Sequence, residues 1–168
     1  MRNRALGAVF GSFLALLASS ALAGASPAAA SAVTMVSGSY TTEALALDAV
    51  TAHGMTLHLS AHATSAWSGD LTGTTTYTFV GIVNLVNGTT VGTLDETFTG
   101  TAAGIGFGTL VFRESVFVSG SGALHLEAVI RGGTGAFSGA RGMIVFKGIS
   151  ALDGSGGGTY FGRIVLGP

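Results

Sequence analysis

Three side chains in this 168-residue chain, Glu96, Arg113 and Glu114, have the types and spacing for proton chemistry. Polar and apolar residues alternate around each of them, and the two stretches, 91–98 and 106–117, are separated by a short gap. Hairpin order therefore puts the three on neighbouring strands. One carboxylate there can pair with Arg113 at the mouth or in the lumen of a closed sheet. A buried carboxylate with a raised pKa can instead act as general acid or base. The competing reading is a surface cross-strand ion pair, which contributes under about 1 kcal/mol.

Other candidates are weaker. His125, Glu127 and Arg131 share one strand face, while Leu124, Leu126, Ala128 and Ile130 share the other. The clean apolar face turns the polar three to solvent, and catalysis there would need a polar lumen. His58 and His62 have zinc-ligand spacing only on a helix; on a strand they sit about 13 Å apart, too far for one ion. His53 falls in a loop, so no metal site and no cofactor are expected. Trp67, Tyr77, Phe79 and Phe137 fit either a ligand cavity or a filled core, because aromatic residues serve both.

Several chemistries are excluded or unsupported. The chain has no cysteine, which removes disulfides, thiolate catalysis and Cys-based metal sites together. No Gly-x-Ser-x-Gly elbow precedes a helix, so a hydrolase is not expected. Gly154 to Gly158 is glycine-rich but lacks a following helix and a P-loop lysine, and reads as a flexible hairpin loop. Asn87-Gly88-Thr89 matches a glycosylation sequon, yet turn chemistry accounts for it fully.

The elements that must position these residues read as strands. Met55, Leu57 and Leu59 alternate with polar residues; after a turn at Ser68-Gly69-Asp70, Leu71, Gly73, Thr75, Tyr77 and Phe79 share one face. Stretches 81–85 and 91–98 flank Asn87-Gly88, a two-residue hairpin signal. Stretches 106–117, 122–131, 137–149 and 159–166 follow, each bounded by glycine or serine clusters. Short connections require antiparallel order. The stretch 41–51 is ambiguous between strand and short helix.

About eight strands of this length close into a barrel whose interior is either filled or holds one small ligand. A two-sheet β-sandwich is the alternative. Glycines inside strands, at Gly73, Gly81, Gly106, Gly108, Gly139 and Gly142, favour the barrel, where strongly bent strands need missing side chains. The 28 glycines with two prolines lie well above the usual glycine share of about 7%.

Only 9% of residues are charged, against about 25% in ordinary domains. Met1 to Arg4 carry two arginines, residues 5–17 are apolar or small, and Ala21-Leu22-Ala23 forms an Ala-x-Ala site. These are the regions of a secretory signal peptide, so residues 1–23 are expected to be removed after Ala23 and the protein secreted, with no stable membrane anchor left. Without Arg2 and Arg4, five cationic side chains face eight acidic ones, a formal charge of −3. Nucleic acid is an unsuitable partner for so few cations. Residues 24–52 read as a flexible N-terminal lead, rich in Ala, Ser and Gly over 24–39, and residues 53–168 as the β-barrel domain.

Ser65 to Gly73, Ser-Ala-Trp-Ser-Gly-Asp-Leu-Thr-Gly, and Gly133 to Gly142, Gly-Thr-Gly-Ala-Phe-Ser-Gly-Ala-Arg-Gly, resemble two signatures of a family of small secreted bacterial barrels of unknown function. The later segment is also similar to a pattern of the allene oxide cyclase and dirigent barrels. The resemblance covers about 54–166 and implies an all-β, eight-stranded antiparallel barrel with an apolar central cavity. It marks Gly132, Gly133, Gly135, Gly139 and Gly142 as a structural turn and strand. That family's Gly-x-Glu-x-Phe-x-Gly segment falls on Leu94 to Gly100 and matches Glu96. A polar pair, more often glutamine and histidine there, falls on Arg113 and Glu114.

The resulting expectation is a barrel that binds a small hydrophobic molecule through Glu96, Arg113, Glu114, Tyr77 and Phe79. Cyclase-like isomerase or dirigent-like coupling activity is implied by the resemblance alone. The alternative is a non-enzymatic structural or surface-interaction protein that self-assembles as a homo-oligomer. Inward-facing rings around a cavity favour the first, and outward apolar stripes on a filled barrel favour the second. Cleavage after Ala23 predicts that the intact mass of exported protein corresponds to a chain starting at Gly24; a product retaining Arg2 and Arg4 would contradict it.

Overall fold

The computed structural model describes residues 31–167. The leader expected at 1–23 lies outside the described residues. The described chain forms nine strands: β1 (Ala32–Thr42), β2 (Ala46–His53), β3 (Thr56–Gly69), β4 (Leu71–Asn84), β5 (Thr90–Ala102), β6 (Gly106–Val118), β7 (Ala123–Gly135), β8 (Arg141–Ser150) and β9 (Gly156–Leu166). From β2 to β9 each strand pairs antiparallel with the next. β1 then closes the sheet, pairing with β9 along its whole length and with the end of β3 through Gly38 to Thr42. Eight strands make a closed antiparallel barrel, and β2 is an additional strand beside the first half of β3. Closure excludes the two-sheet sandwich.

The lead expected at 24–52 is where sequence and structure differ most. β1 supplies a full barrel strand and buries Val36 and Tyr40. Val, Thr, Met and Tyr make up seven of its eleven residues, its alternation turns Val36 and Tyr40 inward, and β9 pairs its whole length while β3 pairs its last five residues. β2 is exposed on both faces. The expected number of barrel strands holds for a different reason. Stretches 71–79 and 81–85 are one continuous strand, β4, and β1 makes up the number.

Three turns also differ in detail. The β4–β5 connection is a five-residue loop, 85–89, in which Asn84 Oδ1 accepts from the Val86 N–H at 2.8 Å and Asn87 Oδ1 from the Thr89 N–H at 3.0 Å. Residues 137–140 belong to the β7–β8 turn, not to β8, with Gly135 and Gly139 at φ of 61° and 70°. Gly132 and Gly133 lie within β7, and Gly142 within β8. Gly156 to Gly158 form the start of β9 rather than a loop, because a Cβ on Gly158 would stand 2.0 Å from the Lys147 carbonyl oxygen on β8.

Inward side chains fill the barrel unevenly. At the end that carries the β3–β4, β5–β6 and β7–β8 turns, Trp67, Leu71, Phe98, Leu110, Phe112, Phe137 and Tyr160 pack into one core. Trp67 reaches across from β3 to rings on four strands, with centroids 5.0 Å from Tyr160, 5.1 Å from Phe146, 5.2 Å from Phe98 and 5.9 Å from Phe112. Tyr160 adds a polar tie through this plug. Its hydroxyl accepts from the Leu71 N–H at 2.8 Å and faces the Leu71 and Ser68 carbonyls at 3.1 and 3.2 Å.

The Leu71 N–H is buried and has this hydroxyl as its partner, so Tyr160→Phe should cost about 1–3 kcal/mol, the penalty of an unsatisfied buried donor. Chemical denaturation of the two proteins checks this, and equal midpoints would contradict it.

Candidate acid-base site in the barrel lumen

Strand alternation decides which polar residues enter the lumen. On β5, Leu94, Glu96 and Phe98 point inward; on β6, Phe112, Glu114 and Val116 do. Asp95 and Arg113, one residue away from each glutamate, must then point outward. They do, opposite each other in the ladder and joined as an ion pair. Arg113 also donates to Thr93 Oγ1 at 3.2 Å. Arg113, expected beside the glutamates, is therefore on the outer face of the barrel. The surface cross-strand pair exists, but it is Asp95 with Arg113.

Glu96 lies opposite Phe112, and Glu114 opposite Leu94, so the two carboxylates are diagonal neighbours on one inner face. Their relative exposures are 6% and 2%. They sit one layer above the aromatic plug, at the bottom of a cavity of about 630 Å³ that opens between the β4–β5, β6–β7 and β8–β9 loops. Tyr77 and Phe79, expected as binding residues, line it with both glutamates. Its walls are otherwise largely apolar: Leu94 and Val116 from the glutamates' own strands, and Leu124 and Leu126 from β7.

Two features keep this space open. Gly81 and Gly92 face each other across β4 and β5, and the Phe79 ring lies against them. A Cβ on either would come within 2.3 or 2.5 Å of ring atoms, so any side chain there would lift Phe79 into the lumen. At the mouth, Leu47 and Val50 of β2 extend the wall beyond the end of β1, along the first half of β3. The Leu45 N–H donates to the Asp153 carbonyl at 2.8 Å and ties that extension to the β8–β9 loop.

The polar atoms at the bottom are left open. Both Glu114 oxygens, Thr75 Oγ1 and Tyr40 Oη are buried and meet no partner in hydrogen-bonding geometry. Burial pushes the Glu96 carboxyl above its ordinary range, and Glu114 and Thr75 beside it offset part of that rise. Glu114 is driven well above, first by burial and then by the charge of Glu96. The two carboxyls interact, so ionisation of one favours the protonated form of the other. Burial, followed by the charges of Glu114 and Glu96, pushes the Tyr40 hydroxyl to about 12, so it stays a donor. Tyr77 is raised in the same way, first by burial and then by Glu96. A protonated carboxyl beside an ionised one, in an apolar cavity, is the arrangement of an acid and a base.

The remaining candidates lie outside the lumen. His62 bonds Asp48 at 2.8 Å, His53 stacks edge-on with His58 at 4.9 Å, and His125 faces Glu127 at 3.5 Å, all exposed. Among the described residues no three His, Asp or Glu converge as metal ligands. A hollow of about 560 Å³ on the outer face, lined in part by His58, Val80, Ile82 and Val91, is broadly open to solvent and contains no buried ionisable group. The lumen is therefore the candidate site. Tyr40 and Thr75 complete it and were not singled out as site residues. The available signal for Tyr40 was its even spacing from Val36, which puts both on one strand face.

The fold has solved counterparts. A protein of unknown function from the DUF3224 family of Shewanella oneidensis MR-1 superposes with a TM-score of 0.62 at 20% identity, covering 82% of this chain and all of that one. The pterocarpan synthase dirigent protein PsPTS1 superposes at 0.50 with 15% identity, covering 81% of this chain and 96% of that one. The chain shares its barrel fold with both. No protein-family model matches the chain, and no curated protein does.

The raised carboxyls make stability depend on pH. In the range above the ordinary glutamate value of 4.5 the folded protein holds protons that the unfolded chain has released. The pair's contribution to stability is therefore most favourable below that value and falls as pH rises through the folded values. Glu114→Gln, a neutral near-isostere, should remove much of this slope and gain on the parent as pH rises. The difference should change by up to about 1.4 kcal/mol per pH unit per proton. Denaturation at pH 5 to 9 tests it, and a constant difference would contradict the assignment.

Proposed function

We propose that the barrel binds a small hydrophobic molecule in its lumen and that Glu96 and Glu114 transfer a proton to or from it. The observation that carries this reading is the placement of two buried carboxyls, with unpartnered oxygens on Glu114, at the bottom of a largely apolar cavity. Burying a carboxyl without partners costs stability, and a site that handles substrate accounts for that cost. The volume, about 630 Å³, lies within the range of small-molecule sites, about 300–1,000 Å³.

Cyclase-like isomerase or dirigent-like coupling activity is the reaction class that fits. The walls would hold a flexible substrate in a reactive conformation, Glu114 would act as the acid and Glu96 as the base. The shared fold with a pterocarpan synthase dirigent protein supports a barrel of this kind but not a particular reaction. Export through the residue 1–23 leader, with cleavage after Ala23, is part of the same proposal and rests on the leader pattern.

A second reading, self-assembly, is favoured by one observation. Ile82, Val91 and Phe117 form an outward apolar row across β4, β5 and β6, with exposures of 36%, 46% and 47%. Inward rings around a cavity favour the first reading. Native mass spectrometry of the purified protein, alone and with the neutral dye Nile red, separates the two. The lumen reading expects about one dye or one co-purified hydrophobic molecule per chain, lost in Leu126→Trp, which fills the cavity. A discrete oligomer that takes up neither would overturn it in favour of assembly.

A further inference from the structure

The charge of the lumen has one sign. The groups that face Glu96 and Glu114 are Tyr40 from β1 and Tyr77 from β4, with Asp153 at the rim. Near the pair, β3 contributes Trp67, β7 Leu126 and Ala128, and β8 Phe146, while Tyr160 of β9 lies beneath in the plug. Among the described residues no lysine, arginine or histidine lines the cavity. Arg113, next to Glu114 in sequence, is outside with Asp95.

The demand of the site is equally one-sided. Both Glu114 oxygens lack a partner; while the pair holds a proton it has one O–H to donate, and once that proton leaves it can only accept. A ligand carboxylate would add like charge to a buried anion. An alcohol brings a single donor without charge, whereas an alkylammonium brings three donors and the missing positive charge.

We propose that the lumen selects a hydrophobic primary amine, with its ammonium between Glu96 and Glu114 and its apolar body along Leu94, Val116 and Leu126. The assignment rests on the lumen-binding reading and names the ligand class of that site. Seating the ammonium favours the ionised carboxyls, so binding releases protons and tightens as pH rises.

The test is calorimetric titration of the purified protein with octylamine, octanol and octanoate, equal in chain length and differing in head group. At about pH 8 an alkylamine is still charged, as its pKa lies near that of lysine, about 10.4. Octylamine should bind at least about tenfold more tightly than octanol, the scale of one charge-assisted hydrogen bond, and octanoate weakest. Titration in two buffers of different ionisation enthalpy should show proton release with the amine only. In Glu96→Gln/Glu114→Gln the amine preference should vanish while octanol affinity stays within about threefold, a change under 1 kcal/mol. Equal affinity for octylamine and octanol in the parent protein, which needs no variant, would overturn the amine assignment and leave lumen binding standing. An amine preference that survives in a folded double variant would also overturn it. Failure of all three probes would overturn the lumen reading and this assignment together.

Discussion

Trp67 is the centre on which the rest of the barrel depends. A single ring from β3 touches aromatic rings of β5, β6, β8 and β9, so five of the eight walls are joined through one side chain. Aromatic pairs of this kind contribute about 0.5–1.5 kcal/mol each beyond the area they bury. The plug solves the usual problem of a small barrel, an interior that is hard to fill evenly, by filling one half completely. The other half is thereby left for a ligand, and the level of the plug sets the depth at which the two glutamates lie.

The site follows from that division. Glu96 and Glu114 occupy the first layer above the plug, where the rings beneath exclude water and the cavity above admits a ligand. Shifted one layer down, towards Phe98 and Phe112, they would be buried within the plug; near the mouth they would be solvated and ordinary. Thr75 and Tyr40 lie at the same boundary between filled and open barrel. The position of the boundary, more than any individual contact, gives the carboxyls their raised pKa values.

Much of this architecture was legible in the residues. Alternation over 54–166 carried most of the strands and their antiparallel order, and Glu96, Glu114, Tyr77 and Phe79 all reach the lumen. β1 was hard to read because the alanine-, serine- and glycine-rich residues before it mask the strand formers Val33 to Val36 and Tyr40 to Thr42, and because the strands it pairs with are distant in sequence. Arg113 teaches a narrower lesson. Adjacent residues on a strand face opposite ways, so Arg113 and Glu114 could never share the lumen; alternation permits either one inside, and only the ladder register settles which. The β4–β5 loop was recognisable from Asn87-Gly88, but its length depends on Asn84 bonding back to the loop.

The pairing of β1 with β9 sets a condition on how the protein is made. Ala32 lies opposite Leu166, so the contact that closes the barrel joins positions near the two ends of the described chain. Until β9 has emerged from the ribosome, β1 has lost its longest partner and β8 offers an unpaired edge, the kind of surface that invites aggregation. Closure is thus a late, entropically costly and slow event. Before that pairing forms, the edges of β1 and β8 that β9 covers in the folded barrel have no partner.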